Sequence, residues 1–325
     1  MKTLKQILVL LLLVGAVAGA VLVWRHAQAQ KPSESNPYAY DVDKFKKTDP
    51  ALIRYEEVQQ IKLGITNLHA IAVDADDKIL VTADNMIVFI GKDGKSLSKV
   101  NTEGSNTCAA IDRAGDVYLG VTDHVEIFDK AGTRKAKWEK PDENVFLTSL
   151  AVFSNEVFAA DFANRIVWRY SKEGKLIGRI GDRDEAKGIL GFIVPSPYFD
   201  LAVAPDATVW IVSPGRQRVE HYTSEGKFLG CWGGPSMEIE GFCGCCNPSH
   251  IALMADGAFV TSEKGLPRVK VYEPDGRFRC VVAAPEHFIE DTVGMDLAVD
   301  SAGRILVLDP MAQSVRIFAL KKQKN

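Results

Sequence analysis

The chain has 325 residues, 46% hydrophobic and 25% charged, with 26 Gly and 14 Pro; this supports a large folded core and excludes a disordered or collagen-like chain. Lys plus Arg number 39 against 42 Asp plus Glu, a net charge of -3, so the basic field that draws phosphates is missing and no nucleic-acid partner is expected. Six Cys are too few for a small disulfide scaffold.

At the N-terminus, Lys2 and Lys5 precede an uncharged apolar run over residues 7–24. A positive flank followed by an apolar stretch directs a chain out of the cytoplasm. Ala27 and Ala29 flank a cleavage site of small residues, while the 18-residue run is just long enough to span a bilayer. Residues 1–27 are therefore expected to act as a cleaved signal or as a membrane anchor with its N-terminus inside. Either role makes the protein extracytoplasmic, and periplasmic in a bacterium. Residues 28–50 are polar with Pro and Ser in their first part, as in a linker.

Beyond the linker the sequence repeats. Units begin near His69, Cys108, Ser149, Asp200, His250 and Asp296, about 38 to 51 residues apart. Each alternates apolar and polar residues in short runs separated by Asp- and Gly-containing turns, which predicts antiparallel strands. Four-stranded units of this length, arranged around an axis, make an all-β propeller of six blades over residues 51–320, followed by a basic tail at 321–325. The last unit stops after three strands. Residues 52–61 are a spare strand expected to complete it, leaving a closed monomeric ring without an open edge there.

Several stretches carry a family resemblance. Asp161-Phe162-Ala163-Asn164-Arg165-Ile166, Phe192-Ile193-Val194-Pro195 before a Leu-Ala-Val strand, and the turn Glu173-Gly174 resemble NHL repeats. The resemblance covers residues 62–320. It implies a six-bladed propeller and leaves function open, because such propellers include enzymes, binding platforms and sensors. His69-Ala70-Ile71-Ala72-Val73-Asp74 is similar to a stretch of the peptidyl-hydroxyglycine amidating lyases, propellers that hold zinc with His residues. Ala70 replaces that family's Gly, His250 is one residue out of register, and His124 and His221 fall in later strands.

Residues 191–203 (GFIVPSPYFDLAV) align without a gap to residues 241–253 (GFCGCCNPSHIAL). The second copy places Cys243, Cys245 and Cys246 in a connection leading towards the axis, with His250 shortly after and Cys231 upstream. Three chemistries are open. Cys231 can pair with one of the three in an oxidising compartment. The thiolates with His250 suit zinc or copper. Cys243 and Cys246 form a CxxC pair able to exchange with a partner thiol. Asn247 after Cys246 argues against covalent haem.

The repeat also places Ala70, Cys108, Ser149, Asp200, His250 and Asp296 at equivalent first-strand positions facing the channel. With His69, the residues Asp200, His250 and Asp296 are candidates for an axial ligand or a cation such as calcium. The plainer alternative is that each bonds to a neighbouring blade's backbone. Glu263-Lys264-Gly265 with Arg268 reads as a solvated turn. Nucleophile-elbow, P-loop, HExxH and dinucleotide patterns are all absent. The expected function is thus an extracytoplasmic module binding an unidentified small molecule or protein. The alternative is a metal-dependent lyase or hydrolase acting at the channel.

Overall fold

The second run of each repeat is built from strand formers that are buried on both faces: ILVTA, VYLGV, EVFAAD, VWIVS, FVTSE and ILVLD. Such runs need protein on both sides, which stacked blades supply. Turns between strands are set by carboxylates. Asp112 Oδ1 accepts the N–H groups of Ala114 and Asp116 at 2.9 and 3.0 Å, and Gly115 takes the positive φ (87°) that the turn needs. Asp300 repeats the device with Ala302 and Arg304.

The computed structural model describes residues 43–183, 190–244 and 246–322. The expected leader, most of the expected linker, Cys245 and the end of the tail lie outside these residues. A compact unit runs from Phe45 onwards.

Strand β1 is Tyr55–Lys62. Blade 1 comprises β2 (Leu68–Val73), β3 (Ile79–Ala83), β4 (Met86–Ile90) and β5 (Ser96–Asn101). Blade 2 comprises β6 (Asn106–Ile111), β7 (Val117–Val121), β8 (His124–Phe128) and β9 (Arg134–Lys137). Blade 3 comprises β10 (Leu147–Phe153), β11 (Glu156–Asp161), β12 (Ile166–Ser171) and β13 (Leu176–Ile180). Blade 4 comprises β14 (Leu201–Val203), β15 (Val209–Ser213), β16 (Arg218–Tyr222) and β17 (Phe228–Trp232). Blade 5 comprises β18 (His250–Leu253), β19 (Phe259–Glu263), β20 (Arg268–Tyr272) and β21 (Phe278–Ala283). Blade 6 takes β22 (Leu297–Val299), β23 (Ile305–Asp309) and β24 (Ser314–Leu320) from the C-terminal end. Each blade is an antiparallel sheet of four strands.

Blade 6 is closed by the spare strand. β1 pairs with β24 from Tyr55 opposite Leu320 to Lys62 opposite Ser314. Side chains lock the pairing: Gln60 Nε2 donates to Ser314 Oγ at 3.0 Å, and Arg316 meets Glu57 at 2.6 Å. Six clusters of buried apolar side chains hold the ring together, one at each blade–blade interface. Uniform packing on all sides is what keeps the six first strands aimed at one axis.

Candidate functional site at the channel mouth

The first strands of blades 1, 2 and 3 share an irregularity. Pairing skips from Leu68 to Ala70, from Asn106 to Cys108 and from Leu147 to Ser149. The skipped residues, His69, Thr107 and Thr148, are therefore bulged out of the ladder. A bulge turns the extra side chain in a new direction, here into the mouth of the channel. The first strands of blades 4, 5 and 6 pair in even register.

The mouth is a funnel of about 360 Å³ to which every blade contributes. Its lining combines the polar side chains of His69, Ser105, Thr107, Thr148 and His250 with Phe146, Pro197, Tyr198, Val293 and Pro310. Beneath it lies a narrower axial cavity of about 90 Å³. All six equivalent positions, Ala70, Cys108, Ser149, Asp200, His250 and Asp296, line that cavity. The repeat arithmetic thus brings Asp200, His250 and Asp296 to one place, with His69 at its rim.

The two carboxylates have both a structural and a chemical aspect. Asp200 accepts from Ile251 N of blade 5 and from its neighbour Leu201 N, each at 2.8 Å. Asp296 accepts from Ile71 N of blade 1 and Leu297 N, again at 2.8 Å. Each therefore stitches one blade to the next, as buried polar groups must bond somewhere. Burial pushes the Asp200 carboxyl up to about 6. Burial, with Asp200 nearby, holds Asp296 well above the usual carboxylate range. Burial also pushes the Cys108 thiol up to about 12 and His250 down to about 3, so His250 is a neutral imidazole. His250 Nδ1 lies 3.3 Å from Ser249 Oγ and 3.4 Å from Ser262 Oγ, and its ring meets Tyr198 edge-on at 5.8 Å.

His69 is held differently. Its Nε2 lies 2.7 Å from Asp84 Oδ1, while Asn67 Nδ2 donates to Asp84 Oδ2 at 2.7 Å. The hydrogen bond from His69, then that from Asn67, keeps Asp84 below its ordinary value. Asp84, Asn67, Thr107, Thr148 and Tyr198 were not singled out by the repeat pattern. A polar residue just before the ring position (His69, Thr107, Thr148, Ser249) was the available signal.

A metal does not fit this ring. Among the described residues no three His, Cys, Asp or Glu side chains gather as ligands. The Asp oxygens face backbone amides, and burial drives both carboxyls towards their protonated forms. The Cys loop and its surroundings correct two further expectations. Cys231 lies within β17, opposite Glu220, as an exposed free thiol, whereas Cys243 is a buried thiol; no disulfide joins them. Cys243 is tied to Glu263, its N donating to Oε2 at 3.3 Å and its sulfur 3.8 Å from the same atom. Burial and then Glu263 push its thiol up. Glu263 and Arg268 are not a solvated turn: Glu263 is fully buried, and Arg268 meets it through two bonds of 2.9 and 3.0 Å. Lys270, also fully buried, completes the group at 2.7 Å from Glu263. It donates to Ile239 O and Gly241 O, pinning the segment that leads into the Cys loop.

No protein-family model matches the chain, and no curated protein sequence does. Solved structures do. A streptogramin B lyase superposes with a TM-score of 0.59 at 12% identity, over 84% of this chain and 100% of that one. Virginiamycin B lyase from Staphylococcus aureus gives 0.58 at 16% identity, over 82% and 100%. A gluconolactonase from Xanthomonas campestris gives 0.61 at 15% identity, over 84% and 94%. At these identities the likeness establishes the architecture: this chain is similar to six-bladed propellers.

Proposed function

We propose that the protein is an NHL-type propeller that binds a small organic molecule in the funnel at the channel mouth. The observation that carries this reading is the funnel itself. It has the volume of a small-molecule pocket, about 300–1,000 Å³, and combines polar groups, three of them on bulged residues, with apolar and aromatic surface. The leader sequence supports an extracytoplasmic location, with the propeller secreted or tethered to a membrane through residues 1–27. The reading is tested by screening a small-molecule library by thermal shift and repeating each hit on Thr148→Trp, which fills the funnel. Hits lost in the filled variant support the reading; hits unaffected by it remove the funnel as the site.

A second reading, a lyase or hydrolase working at the same mouth, is favoured by one observation. His69 is held by a carboxylate that is itself held by Asn67, the arrangement that prepares an imidazole to take a proton. The likeness to lyase and gluconolactonase propellers is compatible with it. Product formation lost in Asp84→Asn but with binding retained would favour turnover over binding alone.

A further inference from the structure

Four polar side chains of the funnel, His69, Thr107, Thr148 and His250, have already committed their hydrogens to the protein. A carbonyl or an ionised carboxylate only accepts, so a hydroxyl or ring N–H close to one must be donating to it. Thr148 Oγ1 lies 2.6 Å from Phe199 O, and Thr107 Oγ1 lies 3.2 Å from Gly120 O. Both hydroxyl hydrogens point into the blades, and both oxygens keep their lone pairs. His69 Nε2 faces the Asp84 carboxylate at 2.7 Å, so in the neutral ring the hydrogen sits there and Nδ1 is bare.

His250 reaches the same condition by another route. Ser249 Oγ donates to Ser262 O at 3.0 Å, and Ser262 Oγ donates to Met295 O at 2.7 Å. With both hydroxyl hydrogens engaged, their oxygens act as acceptors for His250 Nδ1 at 3.3 and 3.4 Å. Nδ1 therefore carries the hydrogen of this neutral, buried ring, and Nε2 is bare. Among the described residues neither His69 Nδ1 nor His250 Nε2 has a hydrogen-bond partner.

We propose that the funnel selects its ligand by hydrogen-bond donors, and that the ligand is a polyhydroxylated molecule of the sugar or polyol class. Its hydroxyls meet the lone pairs of His69, Thr107, Thr148 and His250, while its C–H face rests on Phe146, Tyr198 and Pro310. With both rings neutral, these four groups offer an anion no hydrogen. A cation is disfavoured because Lys264 Nζ sits 4.7 Å from the centre of the Tyr198 ring, fixed at 2.9 Å to Ser196 Oγ. The inference rests on the funnel reading above, and the tests below separate the two.

The hydrogen positions are read without any ligand, from nitrogen NMR of the imidazoles in the full-length chain. His69 protonated at Nε2 and His250 at Nδ1 is the expected result; the opposite tautomer at either ring overturns the inference. Binding is then compared for methyl glucoside and sorbitol against their fully O-methylated counterparts, which keep the oxygens and lose every donor. The hydroxylated probes are expected to bind at least about tenfold more tightly, with the cyclic and open-chain pair showing which shape fits. Equal binding of the methylated probes in the funnel overturns donor selection and leaves the funnel reading standing. Absence of both probes from the funnel overturns the polyol class, while the Thr148→Trp screen judges the funnel independently.

Discussion

Blades 4 and 5 are the same unit written twice, at a constant offset of 50 residues, and they put their charge in different places. Phe192 and Phe242 are equivalent and both buried; so are Tyr222 and Tyr272. Ser213 of blade 4 becomes Glu263, Arg218 remains an Arg as Arg268, and Glu220 becomes Lys270. In blade 4 the acid is on the third strand, bound by Arg216, Arg218 and Tyr222, and the two Arg side chains are partly in solvent. In blade 5 the acid has moved to the second strand, and all three charges are sealed. Lys270 then reaches Ile239 O and Gly241 O, and Glu263 reaches Cys243 N. A two-residue exchange across one hairpin thus converts a cluster whose Arg side chains reach solvent into a sealed anchor for the connection above it. The Cys loop is built on this anchor, and the equivalent loop of blade 4 is held by Arg216, which donates to Gly191 O at 2.6 Å, and by Gly215 N, which donates to Ile193 O at 2.9 Å.

The comparison is broken most directly at the acids. Glu263→Gln leaves Arg268 and Lys270 buried without a counter-charge, a change that costs about 3–5 kcal/mol when a buried pair loses one partner. Glu220→Gln leaves Arg216 and Arg218, which can turn to solvent, and the cost is expected to be about half that or less. Denaturant midpoints of the two variants measure the difference. Equal losses would mean that the two clusters are equally sealed and that the anchor is a misreading.

The ring position sharpens the comparison, because Asp200 and His250 are equivalent yet titrate in opposite directions. His250 is pushed down to about 3 from 6.5, so between those values the unfolded chain binds the extra proton and stability rises with pH. Asp200 is pushed up to about 6 from 3.8, so between those values the folded chain binds the extra proton and stability falls with pH. His250→Asn should therefore flatten the loss of melting temperature on acidification from about 6.5 towards 3, an effect on the order of a few kcal/mol. Asp200→Asn should do the reverse and smaller thing, making the protein relatively more stable near pH 6 than near pH 4. Melting curves at several pH values decide it; parallel profiles for both variants and the parent chain would show that neither group is buried as described.

How much of this was legible beforehand differs between the two features. The six ring positions follow from the repeat, since one equivalent residue per blade must face the axis in any closed propeller. The closing strand was legible for a related reason: a unit lacking one strand and a spare run at the other end complete each other. The funnel was not, because a bulge is a register slip decided by how β2, β6 and β10 meet their partners, and Thr107 and Thr148 look like ordinary strand residues. The anchor was misread because Glu263-Lys264-Gly265 falls where a hairpin turns, and charged residues at a turn normally face solvent. In β20 both faces are covered, one of them by the segment around Ile239 and Gly241, so Arg268 and Lys270 are interior.

The smallest effects lie in the loops themselves and test whether burial or cysteine chemistry distinguishes them. Ile193 is 46% exposed, whereas its counterpart Cys243 is 4% exposed. Ile193→Ser should change stability by no more than about 0.5 kcal/mol, as surface substitutions usually do. Cys243→Ser exchanges a buried sulfur for a hydroxyl beside Glu263, which can accept its hydrogen, so a loss of only about 1 kcal/mol is expected. The thiols should also separate by reagent. In the native protein Cys231, exposed on β17, should react with a maleimide within minutes, and Cys108, Cys243 and Cys280, all buried, only as the chain unfolds. Labelling followed by peptide mass mapping reads each site. Rapid native labelling of Cys243 would show that the connection opens without unfolding, and the sealed anchor beneath it would then have to be given up.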